Sequence, residues 1–126
     1  MAKEAPSEAH KQRTREYYEK LIGPLRDLAR ENGYAIGVHG SLERDIDLIA
    51  VPWQECCSQP CVLAEAIRDK AAEIIGTAFM NPHESNFWFV NGCPGGKPHG
   101  RLTWSFHLGG GPYIDLSVFP PKRHCA

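Results

Sequence analysis

Long apolar runs are missing from this chain of 126 residues. A helix that crosses a bilayer needs about 20 consecutive apolar residues, and no stretch comes near that. The opening residues, MAKEAPSEAHKQRTR, also lack the apolar core of a secretory leader. Both absences lead to the expectation of a cytoplasmic protein without a membrane partner. Paired cysteine spacings are missing too. Cys56, Cys57, Cys61, Cys93 and Cys125 are odd in number and include no C-x-x-C pair. That argues against a disulfide framework and against a zinc site, so free thiols are expected. Charge of one sign is not in excess: the formal net charge is −1, which gives no reason to read the whole surface as a nucleic-acid-binding one. The remainder is ordinary. Hydrophobic residues make up 42% and charged residues 23%, enough for one domain over 1–126 to bury a core without staples, with 1–6 frayed.

Periodicity then divides the chain. Ser7 is a plausible N-cap for a helix. Tyr17, Tyr18, Leu21, Ile22, Leu25 and Leu28 recur at three- and four-residue steps, one face of an amphipathic helix. Gly23-Pro24 predicts a kink or a break in it, and Asn32-Gly33 ends it. Residues 34–39 read as a short strand. DIDLIAV, 45–51, alternates and is rich in branched residues, a second strand that Pro52 stops. Ser58 and Pro60 announce a helix over 61–75. A third strand is expected at 87–90, followed by a loop rich in glycine and proline over 92–100. Leu102, Trp104, Phe106 and Leu108 alternate with Arg101, Thr103, Ser105 and His107. After Gly109-Gly110-Gly111 a second alternation sets Ile114, Leu116 and Val118 against Tyr113, Asp115 and Ser117. Two such runs around a glycine turn make a hairpin. Trp53, Trp88 and Trp104 are expected in the core. The order is helix, two strands, helix, three strands. It predicts an α+β two-layer sandwich, with a mixed, mostly antiparallel sheet of about five strands and helices on one face.

The second strand carries the chemistry. Residues two apart on a strand share a face, so Asp45 and Asp47 project together while Ile46, Leu48 and Ala50 face the core. Two carboxylates side by side repel unless a cation sits between them, and hard carboxylate oxygens suit Mg²⁺. Asp115 repeats the arrangement between Ile114 and Leu116. If the two strands are neighbours, three carboxylates converge and can hold two divalent ions bridged by a triphosphate, which activates an attacking oxygen and stabilises the departing pyrophosphate. Gly40-Ser41 lies just before this strand, where glycine admits a phosphate close to the backbone and the serine hydroxyl can donate to it. His39, Ser41 and Arg44 are candidate phosphate contacts. Arg101 and His107 belong to the alternation class opposite Trp104 and Phe106, and can reach the acidic side.

HGSLERDIDLIAVPW followed by GPYIDLSVF resembles the nucleotidyltransferase superfamily that includes DNA polymerase beta and the small antibiotic nucleotidyltransferases. It is also similar to small phage and bacterial proteins of that type. Gly40-Ser41, Asp45-Ile46-Asp47 and Asp115 match the family pattern in order and in apolar context, over roughly residues 34–119. The resemblance implies a minimal nucleotidyltransferase core. It implies that Asp45, Asp47 and Asp115 are the catalytic, Mg²⁺- or Mn²⁺-binding residues. It further implies transfer of a nucleoside monophosphate from an NTP, such as ATP, to a hydroxyl on a small molecule, a protein side chain or an RNA end. His39, Gly40, Ser41, Arg44, Arg101 and His107 fall to substrate binding. The chain departs from the pattern in three ways: only Leu42, Glu43 and Arg44 separate Ser41 from Asp45, Arg44 stands where many relatives carry a small polar residue, and no additional acceptor-binding domain is expected within these 126 residues. The first and last of these favour the rival expectation, a nucleotide-binding or interaction protein on the same fold without turnover. A metal-dependent hydrolase using His39 or His107 is a third reading. The plain alternative for each acidic residue is a solvated strand charge.

Overall fold

The computed structural model describes residues 6–76, 102–109 and 111–121. Helix α1 spans Glu8–Glu31. Ser7 caps it as the sequence predicts: its side chain accepts from the His10 N–H at 3.1 Å. The expected kink or break at Gly23-Pro24 does not divide the helix, which runs through Pro24. Pro24 is exposed, so its ring, and the Lys20 carbonyl that loses a donor there, meet water rather than core. The helix ends at Asn32, whose backbone N–H returns to the last-turn carbonyls.

Strand β1 is Tyr34–His39, β2 is Ile46–Pro52, β3 is Leu102–His107 and β4 is Tyr113–Val118. Between β2 and β3 lies helix α2, Pro60–Ile75, with Pro60 at its first turn. The described residues form a four-stranded sheet, not five, in the order β1-β2-β4-β3. The strand expected at 87–90 and the loop at 92–100 lie outside the described residues. The β1/β2 and β3/β4 pairs are antiparallel and β2/β4 is parallel, so the sheet is mixed and mostly antiparallel, as the alternation predicts. Parallel central strands covered on both faces read as continuous apolar runs; β2 and β4 instead alternate, and among the described residues the helices cover one face of the sheet.

That covered face is the core. Ile46, Leu48 and Ala50 of β2, Ile114, Leu116 and Val118 of β4, and Trp104 and Phe106 of β3 are buried. They cluster with Leu21, Leu25 and Ala29 of α1 and Leu63, Ile67 and Ala71 of α2. At about 25 cal/mol per Å² of apolar surface removed from water, each large aliphatic side chain in this layer contributes roughly 1.5–3 kcal/mol. The alternate residues, Asp47, Ile49, Thr103, Ser105, Tyr113, Asp115 and Ser117, are half-buried and belong to the face away from the helices. Trp53 corrects its expected place in the core, because it is 58% exposed. Its N–H donates to the Gly33 carbonyl at 3.0 Å, which extends the β1/β2 ladder by one residue and leaves Trp53 on the side of exposed Val51, away from the helices. Cys57 and Cys61 are free thiols, but Cys56 is disulfide-bonded, against the expectation of free thiols throughout.

Candidate functional site

Strand register assembles the acidic side chains. In the parallel pair Asp47 of β2 stands beside Asp115 of β4, and Ile46 stands beside Ile114. Extending this register by one residue makes Tyr113 the neighbour of Asp45. The antiparallel pairs add His39 next to Asp47 on β1 and Ser105 next to Asp115 on β3. A single row, His39–Asp47–Asp115–Ser105, therefore crosses all four strands on the open face. One step along lie Asp45 and Tyr113, with His107 paired to Tyr113 on β3. The His107 and Tyr113 rings lie 5.6 Å apart, tilted at 45°.

One carboxylate oxygen each from Asp45, Asp47 and Asp115 lies within 4.8 Å of the others. Oxygens on opposite sides of one Mg²⁺ are about 4.2 Å apart, given bonds of about 2.1 Å. The three oxygens are close enough together to be candidate ligands of one ion. The site's electrostatics favour a cation. Burial, then the Asp115 charge, pushes the Asp45 carboxyl up; the Tyr113 hydroxyl, which donates to Asp45, offsets part of this. Asp47 is likewise pushed up, by burial first and Asp115 second, with His39 acting the other way. Asp45 Oδ1 is buried and has no hydrogen-bond partner among the described residues. An orphaned carboxylate oxygen costs free energy that a metal bond would recover. Three half-buried acids that repel one another, one with an unsatisfied oxygen, fit a divalent ion. Tyr113 is itself pushed up to about 12, by burial first and then by the Asp45 and Asp115 charges, so it stays a neutral donor.

The turn between β1 and β2 wraps the edge of this cluster. Gly40 has φ +80, and a Cβ built there would sit 2.6 Å from Asp47 Oδ2. The glycine is thus required twice, for its backbone and for the space that the carboxylate takes. Leu42 holds a left-handed φ of 58 and packs against the core; that contact offsets a strain of about 1–2 kcal/mol. Ser41 is exposed, and its hydroxyl accepts from the Glu43 N–H at 3.3 Å. The turn is anchored from α1. His10 Nε2 donates to the Arg44 carbonyl at 2.8 Å, and the β3–β4 turn closes over the same imidazole at Gly111, where a Cβ would lie 3.0 Å from His10 Nδ1. The Tyr17 hydroxyl adds a 3.4 Å bond to the Gly109 carbonyl.

Of the residues singled out from sequence, Asp45, Asp47 and Asp115 are brought together. His39 and Gly40 adjoin Asp47, Arg44 acts on Asp45 by charge, and His107 lies one residue away across Tyr113. Ser41 belongs to the turn but turns its hydroxyl to its own backbone. Arg101 lies outside the described residues. Ser105 and Tyr113, which support two of the carboxylates, were not singled out. Both share the alternation class of His107 and Asp115, which gives the face they belong to but not their neighbours across the strands. Compared with known proteins, the chain matches no protein-family model, no curated protein and no solved structure.

Proposed function

We propose that this protein is a Mg²⁺-dependent nucleotidyltransferase, a small enzyme that moves a nucleoside monophosphate from an NTP, such as ATP, to a hydroxyl acceptor. The observation that carries the reading is the parallel register of Asp47 and Asp115, which with Asp45 brings three carboxylates within 4.8 Å. Paired metal sites of this composition serve in-line displacement at phosphorus. Asp45 and Asp47 would hold the metal, and Asp115 would complete the set. When bound, the ions neutralise the triphosphate and the departing pyrophosphate. Asp115 accepts the proton of the acceptor hydroxyl. The acceptor oxygen then bonds to the α-phosphorus, the α–β bridging bond breaks, and pyrophosphate leaves. The backbone at Gly40 approaches phosphate, and Arg44, His39 and His107 supply cationic or hydrogen-bonding contacts at the rim. Ser41, whose hydroxyl accepts from the Glu43 N–H and keeps its own proton to donate, joins them.

A pyrophosphate-release assay with Mg²⁺, each of the four NTPs, and small-molecule, protein and RNA acceptors tests the reaction, beside calorimetric titration of Mg-NTP. Release that depends on Mg²⁺ and disappears in Asp47→Asn is the expected result. NTP binding without release on any acceptor overturns turnover and leaves a nucleotide-binding protein. Phosphodiester cleavage with no NTP present would turn the reading to a hydrolase.

A further inference from the structure

We infer that Ser105 is a positioning residue for the metal centre, fixing the orientation of the Asp115 carboxylate; the inference rests on the metal-site reading above. Ser105 faces Asp115 directly across the β3/β4 pair. Its hydroxyl donates to Asp115 Oδ1 at 2.7 Å, the short distance typical of a charge-assisted bond. An aspartate carboxylate turns easily about its last torsion, whose wells are broad. Asp115 also has Asp47 on its other flank. Asp47 and Asp115 are joined by a side-chain hydrogen bond while one of them is protonated; once both are charged, repulsion favours a swing of Asp115 away from the cluster, and the Ser105 bond to one oxygen opposes that swing. Ser105 has the room for this role because it lies on the open face, half-buried, with Trp104 and Phe106 on either side pointing into the core. It touches neither Asp45 nor Asp47 in the hydrogen-bond pattern, so its effect passes through Asp115 alone. Partners that orient metal-binding side chains commonly set affinity by about 10- to 100-fold.

Mn²⁺ titration followed by electron paramagnetic resonance, on the full chain, tests this with Ser105→Ala, Ser105→Thr and Asp115→Asn. The melting temperature of each variant is measured in EDTA as the control for folding. Ser105→Ala is expected to weaken Mn²⁺ by about tenfold while its metal-free melting temperature stays within a few degrees of the parent. Ser105→Thr, which keeps the hydroxyl, is expected to restore parental affinity. If Ser105→Ala binds Mn²⁺ as the parent does while Asp115→Asn loses it, the inference about Ser105 fails and the metal centre stands. If threonine weakens binding as much as alanine, the hydroxyl is not the cause and the inference fails. If the parent itself binds no Mn²⁺, both the inference and the metal-site reading fail.

Discussion

At Gly40 the backbone and a neighbouring carboxylate make demands that no other residue meets together. A methyl group there would sit 2.6 Å from Asp47 Oδ2, and the φ of +80 disfavours any side chain. Gly40→Ala is expected to displace the Asp47 carboxylate, weakening Mn²⁺ binding by about tenfold or more and costing roughly 1–2 kcal/mol of stability; metal titration and chemical denaturation measure the two effects separately. Asp47→Asn makes the opposite kind of change. It keeps the shape and removes one of the repelling charges, so metal binding drops sharply while the metal-free protein melts slightly higher. A variant that unfolds would show Asp47 to be structural and would count against the site. The aspartates themselves were legible in the sequence, because their parity against Ile46, Leu48, Ile114 and Leu116 is a matter of strand geometry. Ser105 was not singled out, because a hydroxyl among alternating polar residues gives no sign of what stands opposite until the register is known.

At the scale of elements, the pair β2 and β4 carries a pH dependence. Asp45 and Asp47 are both held above the ordinary carboxylate value, by burial first and by Asp115 second. Their unfolded forms ionise earlier on a rising pH scale, so the native state binds more protons and stability falls as pH climbs from about 4 through the raised native values. In EDTA the parent is therefore expected to lose stability across that window relative to the Asp45→Asn, Asp47→Asn double variant, followed by melting at several pH values; equal slopes would contradict the placement of the two acids. The 40–45 turn is likewise governed by an element outside the sheet. His10 of α1 holds the Arg44 carbonyl, and His10→Ala should loosen the turn, lowering metal affinity a few-fold with a loss of about 1 kcal/mol. Nothing in the spacing of His10 and Arg44 announces their contact, since 34 residues separate them.

For the whole molecule, a ligand that binds only the folded state stabilises it by mass action. Mn²⁺ at a hundred times its dissociation constant contributes about 2.7 kcal/mol, several degrees in melting temperature for a domain of this size. The Asp115→Asn variant should show little of that gain, and a parent whose melting is indifferent to Mn²⁺ would have no site of this kind. The layer beneath is expected to be unforgiving. Leu48 is fully buried in the centre of β2, and Leu48→Ala should cost about 2–5 kcal/mol whether or not metal is present. The sequence by itself determined both helices, the four strands that the described residues form and the parity of each acidic residue, because capping, periodicity and alternation are local properties of the chain. It also suggested a kink or a break at Pro24 and a core place for Trp53; the helix is not broken at Pro24, and Trp53 is exposed because what covers a side chain is decided by segments far away in the chain. Only the tertiary structure decided that β4 lies between β2 and β3, that Asp47 stands level with Asp115, and that Ser105, Tyr113 and His39 flank the acids. Strand order and register arise from contacts between segments far apart in the chain. A shift of a single residue there would reverse every side chain and scatter the three carboxylates.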